Sequence, residues 1–204
     1  MSWLLDKNYF SLGWRPSDAE VIRSLKSIEA SEIIEGTGAF AVLADVFTQH
    51  CNEIPAIFHC YLKFDENIEW FLRQDLLTHC GFFHTFFSLE LVQHRMKLRP
   101  RLKIGNLGFE CSSPFSVAAR LQELIARGQS LCPEFSGSDS ELISIVSEFM
   151  KTSIGNEYRK SSAFVSTASW AHGWGTTSGY DPESFFIIDK QRMVATVFAM
   201  NYCW

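Results

Sequence analysis

The chain predicts an α+β fold: a single globular domain over residues 1–204, with an antiparallel or mixed sheet, about four helices and a C-terminal β-hairpin. Three observations carry that prediction. Helix starts are marked by capping residues at Ser17, Ser113 and Ser138. Strand-like runs are interspersed among those helices without the βαβ repeat that would signal a parallel sheet. Near the end, two apolar runs are joined by the short polar turn Asp189, Lys190, Gln191 and Arg192, the pattern of a hairpin.

In chain order, Ser17 with Glu20 forms a capping box, and Val21, Ile22, Leu25 and Ile28 follow at helical spacing, predicting a helix from about 17 to 31. The stretch AFAVLADVF from Ala39 to Phe47 fits either a buried strand or the start of a helix. Ala56 to Phe64 alternates as a strand does, with Phe58, Cys60, Leu62 and Phe64 on one face and His59, Tyr61 and Lys63 on the other. Asp65 opens a helix carrying Ile68, Phe71, Leu72 and Leu76, and a strand with one break is predicted over about Phe86 to Ile104. Ser113 before Pro114 places proline at a first helical position. Phe115, Ala118, Leu121, Leu124 and Ile125 make that helix's predicted buried face, and Gly128 closes it. Ser138 and Glu141 repeat the capping box ahead of Leu142, Ile145, Val146 and Phe149. From Ser161 to Ser184 the composition turns to Ser, Thr, Gly and Trp, which predicts a long loop or irregular strands. Phe185 to Ile188 and Met193 to Ala199 are the hairpin strands.

A chain of 204 residues can bury roughly 70 per cent of its unfolded surface, and its 18 phenylalanines predict a core dominated by large flat rings. The run Phe82, Phe83, Phe86 and Phe87, beside Trp70 and Phe71, reads as part of that core. Asp6 interrupts the opening MSWLLDKNYF where a signal peptide needs its apolar run, and no stretch approaches the ~20 apolar residues of a membrane span. A cytoplasmic location without membrane contact is therefore expected. There Cys51, Cys60, Cys80, Cys111, Cys132 and Cys203 are expected to remain thiols.

The segment RMKLRPRLKI sets Arg95, Lys97, Arg99, Arg101 and Lys103 against Met96, Leu98, Pro100, Leu102 and Ile104. On a strand these form one cationic face with like charges about 7 Å apart, in a chain of formal net charge −5. The repulsion within such a stripe is offset by an acidic protein surface or a phosphorylated ligand. The same charges also suit a solvated edge strand that resists unwanted pairing, and Pro100 favours an edge. The acidic overall balance argues against nonspecific nucleic-acid binding. Trp170, Trp174 and Tyr180 lie among Gly, Ser and Thr, the composition of a contact surface. The reading that follows is a noncatalytic binding protein, neutralising or adaptor in role, that meets its partner through strand 95–103 and loop 161–184. No cofactor is implied.

Three His-Cys pairs, His50-Cys51, His59-Cys60 and His79-Cys80, raise zinc as a question. Adjacent residues diverge on both strands and helices, so a buried thiol explains each pair better, and no metal site is assigned. The alternative from another functional class is a cysteine hydrolase or acyl transferase. Cys111 precedes a helix start whose dipole favours thiolate, His172 in SWAHGWG could act as base, and Asp189 could orient it. The segment ECSSPFSVAARL resembles the cysteine-bearing helix start of the NlpC-type cell-wall hydrolases, a likeness that implies Cys111 as nucleophile. Otherwise Cys111 is a packing residue and Asp189 begins a turn, where its side chain bonds the local backbone.

Overall fold

The structure, a computed structural model, describes residues 15–51, 53–96, 107–127, 135–166 and 183–202. It is α+β, with seven α-helices among these residues and one antiparallel sheet of six strands. The strands are β1 (Glu29–Glu32), β2 (Glu53–Lys63), β3 (Phe109–Ser112), β4 (Ser161–Ser166), β5 (Ser184–Asp189) and β6 (Val194–Tyr202), in spatial order β1-β2-β6-β5-β4-β3. The predicted C-terminal hairpin is present: β5 and β6 pair from Ser184↔Ala199 to Asp189↔Val194. The central strands are buried on both faces, so they read as continuous apolar runs such as SFFIID rather than as an alternation.

Alternate residues of the sheet face two separate layers. One layer receives Phe58, Cys60 and Leu62 of β2, Ala195, Val197 and Ala199 of β6, Phe186 and Ile188 of β5, Phe164 of β4 and Phe109 of β3. It is covered by short helices α1 (Asp18–Leu25), α3 (Glu66–Arg73), α4 (Phe82–Phe87) and α5 (Glu90–Arg95). Caps start two of them. Ser17 Oγ accepts from the Glu20 amide while Glu20 Oε2 accepts from the Ser17 amide at 2.7 Å. Asp65 Oδ1 accepts from the Asn67 amide at 3.0 Å, and its Oδ2 accepts from Ser24 Oγ at 2.5 Å, which ties α3 to α1. Gly81, at φ 78°, provides the left-handed turn from which α4 starts.

The opposite layer receives Ala163, Phe185, Ile187, Phe198 and Met200. Three longer helices cover it: α2 (Gly38–Cys51), α6 (Pro114–Arg127) and α7 (Asp139–Ile154). They contribute Phe40, Leu43 and Phe47, then Val117, Leu121 and Ile125, then Leu142, Val146, Phe149 and Met150. Ser138 caps α7 by accepting from the Glu141 amide at 3.2 Å.

Several expectations are corrected. The predicted strand from Phe86 to Ile104 is, as far as Arg95, the end of α4 followed by α5. Phe82, Phe83, Phe86 and Phe87 recur at helical spacing and are all buried, so the local period is helical and Arg95 lies on a helix rather than a strand. The first helix stops at Leu25 rather than near 31, because Glu29–Glu32 pairs with β2 as an edge strand. Phe115 is 64 % exposed; the buried face of α6 is turned to Pro114, Val117, Leu121 and Ile125. The ambiguous stretch at Ala39–Phe47 is helical. Within Ser161–Ser184, the first six residues form regular strand β4; residues 167–182 lie outside the described residues.

Candidate functional site

Among the described residues β3 is an outer strand of the sheet, paired only with β4 through Phe109↔Ser166 to Ser112↔Ala163. Beside it opens a cleft of about 320 Å3 lined by Gly108, Glu110, Cys111, Arg120, Glu183 and their neighbours. Arg120 reaches from α6, whose apolar side is turned to the sheet, and grips Glu183 just before β5. Its Nε donates to the two Glu183 carboxylate oxygens at 2.7 and 2.9 Å, its Nη2 donates to Oε1, and its Nη1 donates to Glu123 Oε2 at 2.6 Å. Glu183 is buried, so this fork compensates a carboxylate removed from water. The hydrogen bond to Glu183 pushes the Arg120 guanidinium pKa up, against the opposing effect of burial. The sequence reading missed this pair. Its partners are 63 residues apart, and only the i,i+3 spacing of Arg120 and Glu123 is visible locally.

Cys111 is exposed in β3, and its side chain belongs to the face carrying Phe109 and Phe164. Desolvation pushes its thiol pKa up, Asp75 adds to that, and Lys190 opposes it, so the thiol is less acidic than an ordinary cysteine. Asp189 has the parity of Phe185 and Ile187 and leaves the sheet on the other face. Its Oδ1 accepts from the amides of Gln191 at 2.8 Å and Arg192 at 3.0 Å, and its Oδ2 from Arg192 Nε at 2.5 Å. Burial pushes its pKa up, but the Arg192 and Gln191 bonds outweigh burial and hold it below the ordinary value. The structure therefore does not bring Asp189 to Cys111. Asp189 organises the hairpin turn, and His172 lies outside the described residues.

Of the cationic stripe, Arg95 ends α5 and its Nη2 donates to Glu32 Oε2 at the β1 edge. Lys97, Arg99, Arg101 and Lys103 lie outside the described residues, as do Trp170, Trp174 and Tyr180. The chain positions bordering those two segments do meet. Ser166 Oγ donates to the Leu107 carbonyl, and Ser166 pairs with both Phe109 and Ser184. Leu107, Ser166 and Glu183 thus share one corner of the sheet, next to the cleft.

Cys60 and Cys80 are buried, and desolvation pushes both thiols up to about 12, so each is an inert core group. His59 is buried on the other face of β2 from Cys60, its Nδ1 2.8 Å from Thr196 Oγ1 and its ring against Phe40. Desolvation, with Arg192 nearby, pulls its pKa down to about 4. Among the described residues no cluster of three or more His, Cys, Asp and Glu is placed to hold a metal ion. No described helix is long and apolar enough to cross a membrane. No protein-family profile, curated protein or solved structure matches the chain.

Proposed function

We propose that this chain is a noncatalytic binding protein that engages an acidic or phosphorylated partner through the basic segment 95–103 and the Trp/Gly/Ser-rich segment 161–184. The observation that carries the reading is the meeting of Leu107, Ser166 and Glu183 at one sheet corner. The chain just after the basic segment, at Leu107, meets both borders of the aromatic one, at Ser166 and Glu183, so one partner can address both. Arg95 is committed to Glu32, which leaves the recognition charge with Lys97, Arg99, Arg101 and Lys103. Electrostatic recognition of this kind is salt-dependent and accelerates encounter. A thiol held above its ordinary pKa and an Asp189 engaged on the other face give the hydrolase alternative no comparable support.

The test uses the full chain and a fluorescent poly-glutamate probe, with a polyphosphate as second probe, read by anisotropy across a salt titration. The expected result is binding that weakens with salt and falls by about tenfold or more in the Arg99→Glu, Arg101→Glu double variant, with an unchanged melting temperature. Equal binding by the double variant would reduce the stripe to a solvated surface and end the proposal.

A further inference from the structure

A second cleft, of about 260 Å3, opens where the end of α3 meets the β5–β6 turn. Arg73, Lys160 and Lys190 line it, together with Glu69, Leu72 and Gln191. These cations come from three elements: Arg73 ends α3, Lys160 ends the single-turn 3-10 helix Tyr158–Lys160, and Lys190 follows β5. The backbone sets two of them side by side, because the Lys190 amide donates to the Lys160 carbonyl at 3.0 Å.

The three cations around this cleft are each positioned by a carboxylate. Lys190 Nζ donates to Asp75 Oδ1 at 2.7 Å and Lys160 Nζ to Glu157 Oε2 at 2.5 Å, but neither Asp75 nor Glu157 lines the cleft. Glu69 does line it, and Arg73 donates to Glu69 Oε1 through Nε at 3.1 Å and Nη2 at 2.5 Å. Each of the three cations is thus held by one carboxylate, and of those carboxylates Glu69 lines the cleft itself. Donor capacity is also left over. Lysine has three N–H donors and arginine five, so the bonds to Glu69, Glu157, Gln191 and Asp75 do not use up the N–H groups of Arg73, Lys160 and Lys190. Asp75, which holds Lys190 and accepts from the buried Ser162 hydroxyl, sits at φ 59°, one of two non-glycine residues with positive φ among those described. A left-handed aspartate costs conformational energy, and here that conformation places the carboxylate that positions Lys190.

We propose that this cleft is a binding site for a phosphate monoester, held by Arg73, Lys160 and Lys190. A phosphate monoester carries about −1.5 to −2 charges near neutral pH and presents three terminal oxygens, which suits cationic donors arriving from three directions. A carboxylate is planar and is satisfied by one guanidinium fork, so it uses the three-element arrangement less well. The site shares no residue with segment 95–103, and its failure would leave the proposed function untouched.

The experiment is a titration of the full-length, 15N-labelled chain with O-phosphoserine, followed through the backbone amides of Lys160, Lys190 and Gln191 at constant ionic strength. Free glutamate is the carboxylate control, and a short neutral peptide containing one phosphoserine distinguishes a phosphoprotein from a small phosphorylated molecule as the source. Saturable shifts with O-phosphoserine or the phosphopeptide, weakened by about tenfold or more in Arg73→Gln, Lys160→Gln, would establish the site. Both replaced side chains are more than half exposed, at 69 % and 52 %, so the variant is expected to fold. The Arg99→Glu, Arg101→Glu variant should retain the shifts. Absence of shifts with both phosphate ligands, equal shifts with glutamate, or shifts undiminished in the double variant would overturn the proposal.

Discussion

On one face of the sheet the helices α2, α6 and α7 are 14, 14 and 16 residues long; on the other, α1, α3, α4 and α5 are 8, 8, 6 and 6. Isolated helices shorter than about 12–15 residues are marginal in water. The short-helix layer therefore depends on what it packs against, and that is an interlocked set of rings. Phe186 of β5 meets Phe82, Phe83 and Phe86 edge-on at centroid distances of 5.7, 5.2 and 5.2 Å, while Phe83 stacks on Phe109 at 4.4 Å. Caps occur on both sides, at Ser17 and Asp65 on the short helices and at Ser138 on α7, but the long helices present mainly aliphatic stripes to the sheet. The six- and eight-residue helices on one side of this sheet depend more on tertiary packing than the 14- and 16-residue helices on the other.

The largest expected effect breaks that contrast at its centre. Phe186→Ala removes the ring shared by three α4 residues and should cost about 3–5 kcal/mol, with loss of near-UV dichroism exceeding loss of far-UV dichroism in urea denaturation. A cost below about 1 kcal/mol would mean the rings do not hold the short helices. Next, Arg120→Ala leaves the buried Glu183 carboxylate without its fork and should cost about 2–3 kcal/mol, at or below the lower end for a broken buried pair because Arg120 is itself a third exposed. Arg120→Lys should recover only part of this loss, since an ammonium cannot reproduce the bidentate geometry.

His59 supplies a pH test of the long-helix side. Its folded pKa of about 4 lies below the ordinary 6.5, so between those values the unfolded chain takes up a proton that the native ring refuses. This contribution is fully present above pH 6.5, is lost as pH falls toward 4, and amounts to about 2 kcal/mol after allowance for residual solvent contact. Denaturation midpoints at pH 7, 5.5 and 4.5 (about one pH unit apart or more, spanning the transition) should fall more steeply in the native chain than in His59→Gln. Equal slopes would remove His59 as the cause. The smallest effect sharpens the comparison: Ser138→Ala deletes the α7 cap and should cost about 1 kcal/mol, visible in far-UV dichroism without disturbing the aromatic layer.

Legibility in the sequence followed the range of the interactions. The capping box at Ser17, the Asp65 cap and the Ser138 cap were readable because donor and acceptor lie two or three residues apart. The buried Phe82–Phe87 run is readable as core but not as helix, since the strand that the sequence predicts over Phe86 to Ile104 begins inside it. The Asp189 turn is readable from the sequence, because its bonds reach only to residues 191 and 192. The Arg120–Glu183 fork and the convergence of Arg73, Lys160 and Lys190 had no local signature at all.

By itself the sequence determined the α+β class, the hairpin at the C-terminus and the capped helix starts, all of which depend on neighbours along the chain. Only the tertiary structure decided that β3 pairs with β4, that Cys111 and Asp189 leave the sheet on opposite faces, and which charges meet across a cleft. The physical reason is parity and register: one residue's shift on a strand moves a side chain to the other face, and the pairing that fixes it is made between segments far apart in the chain.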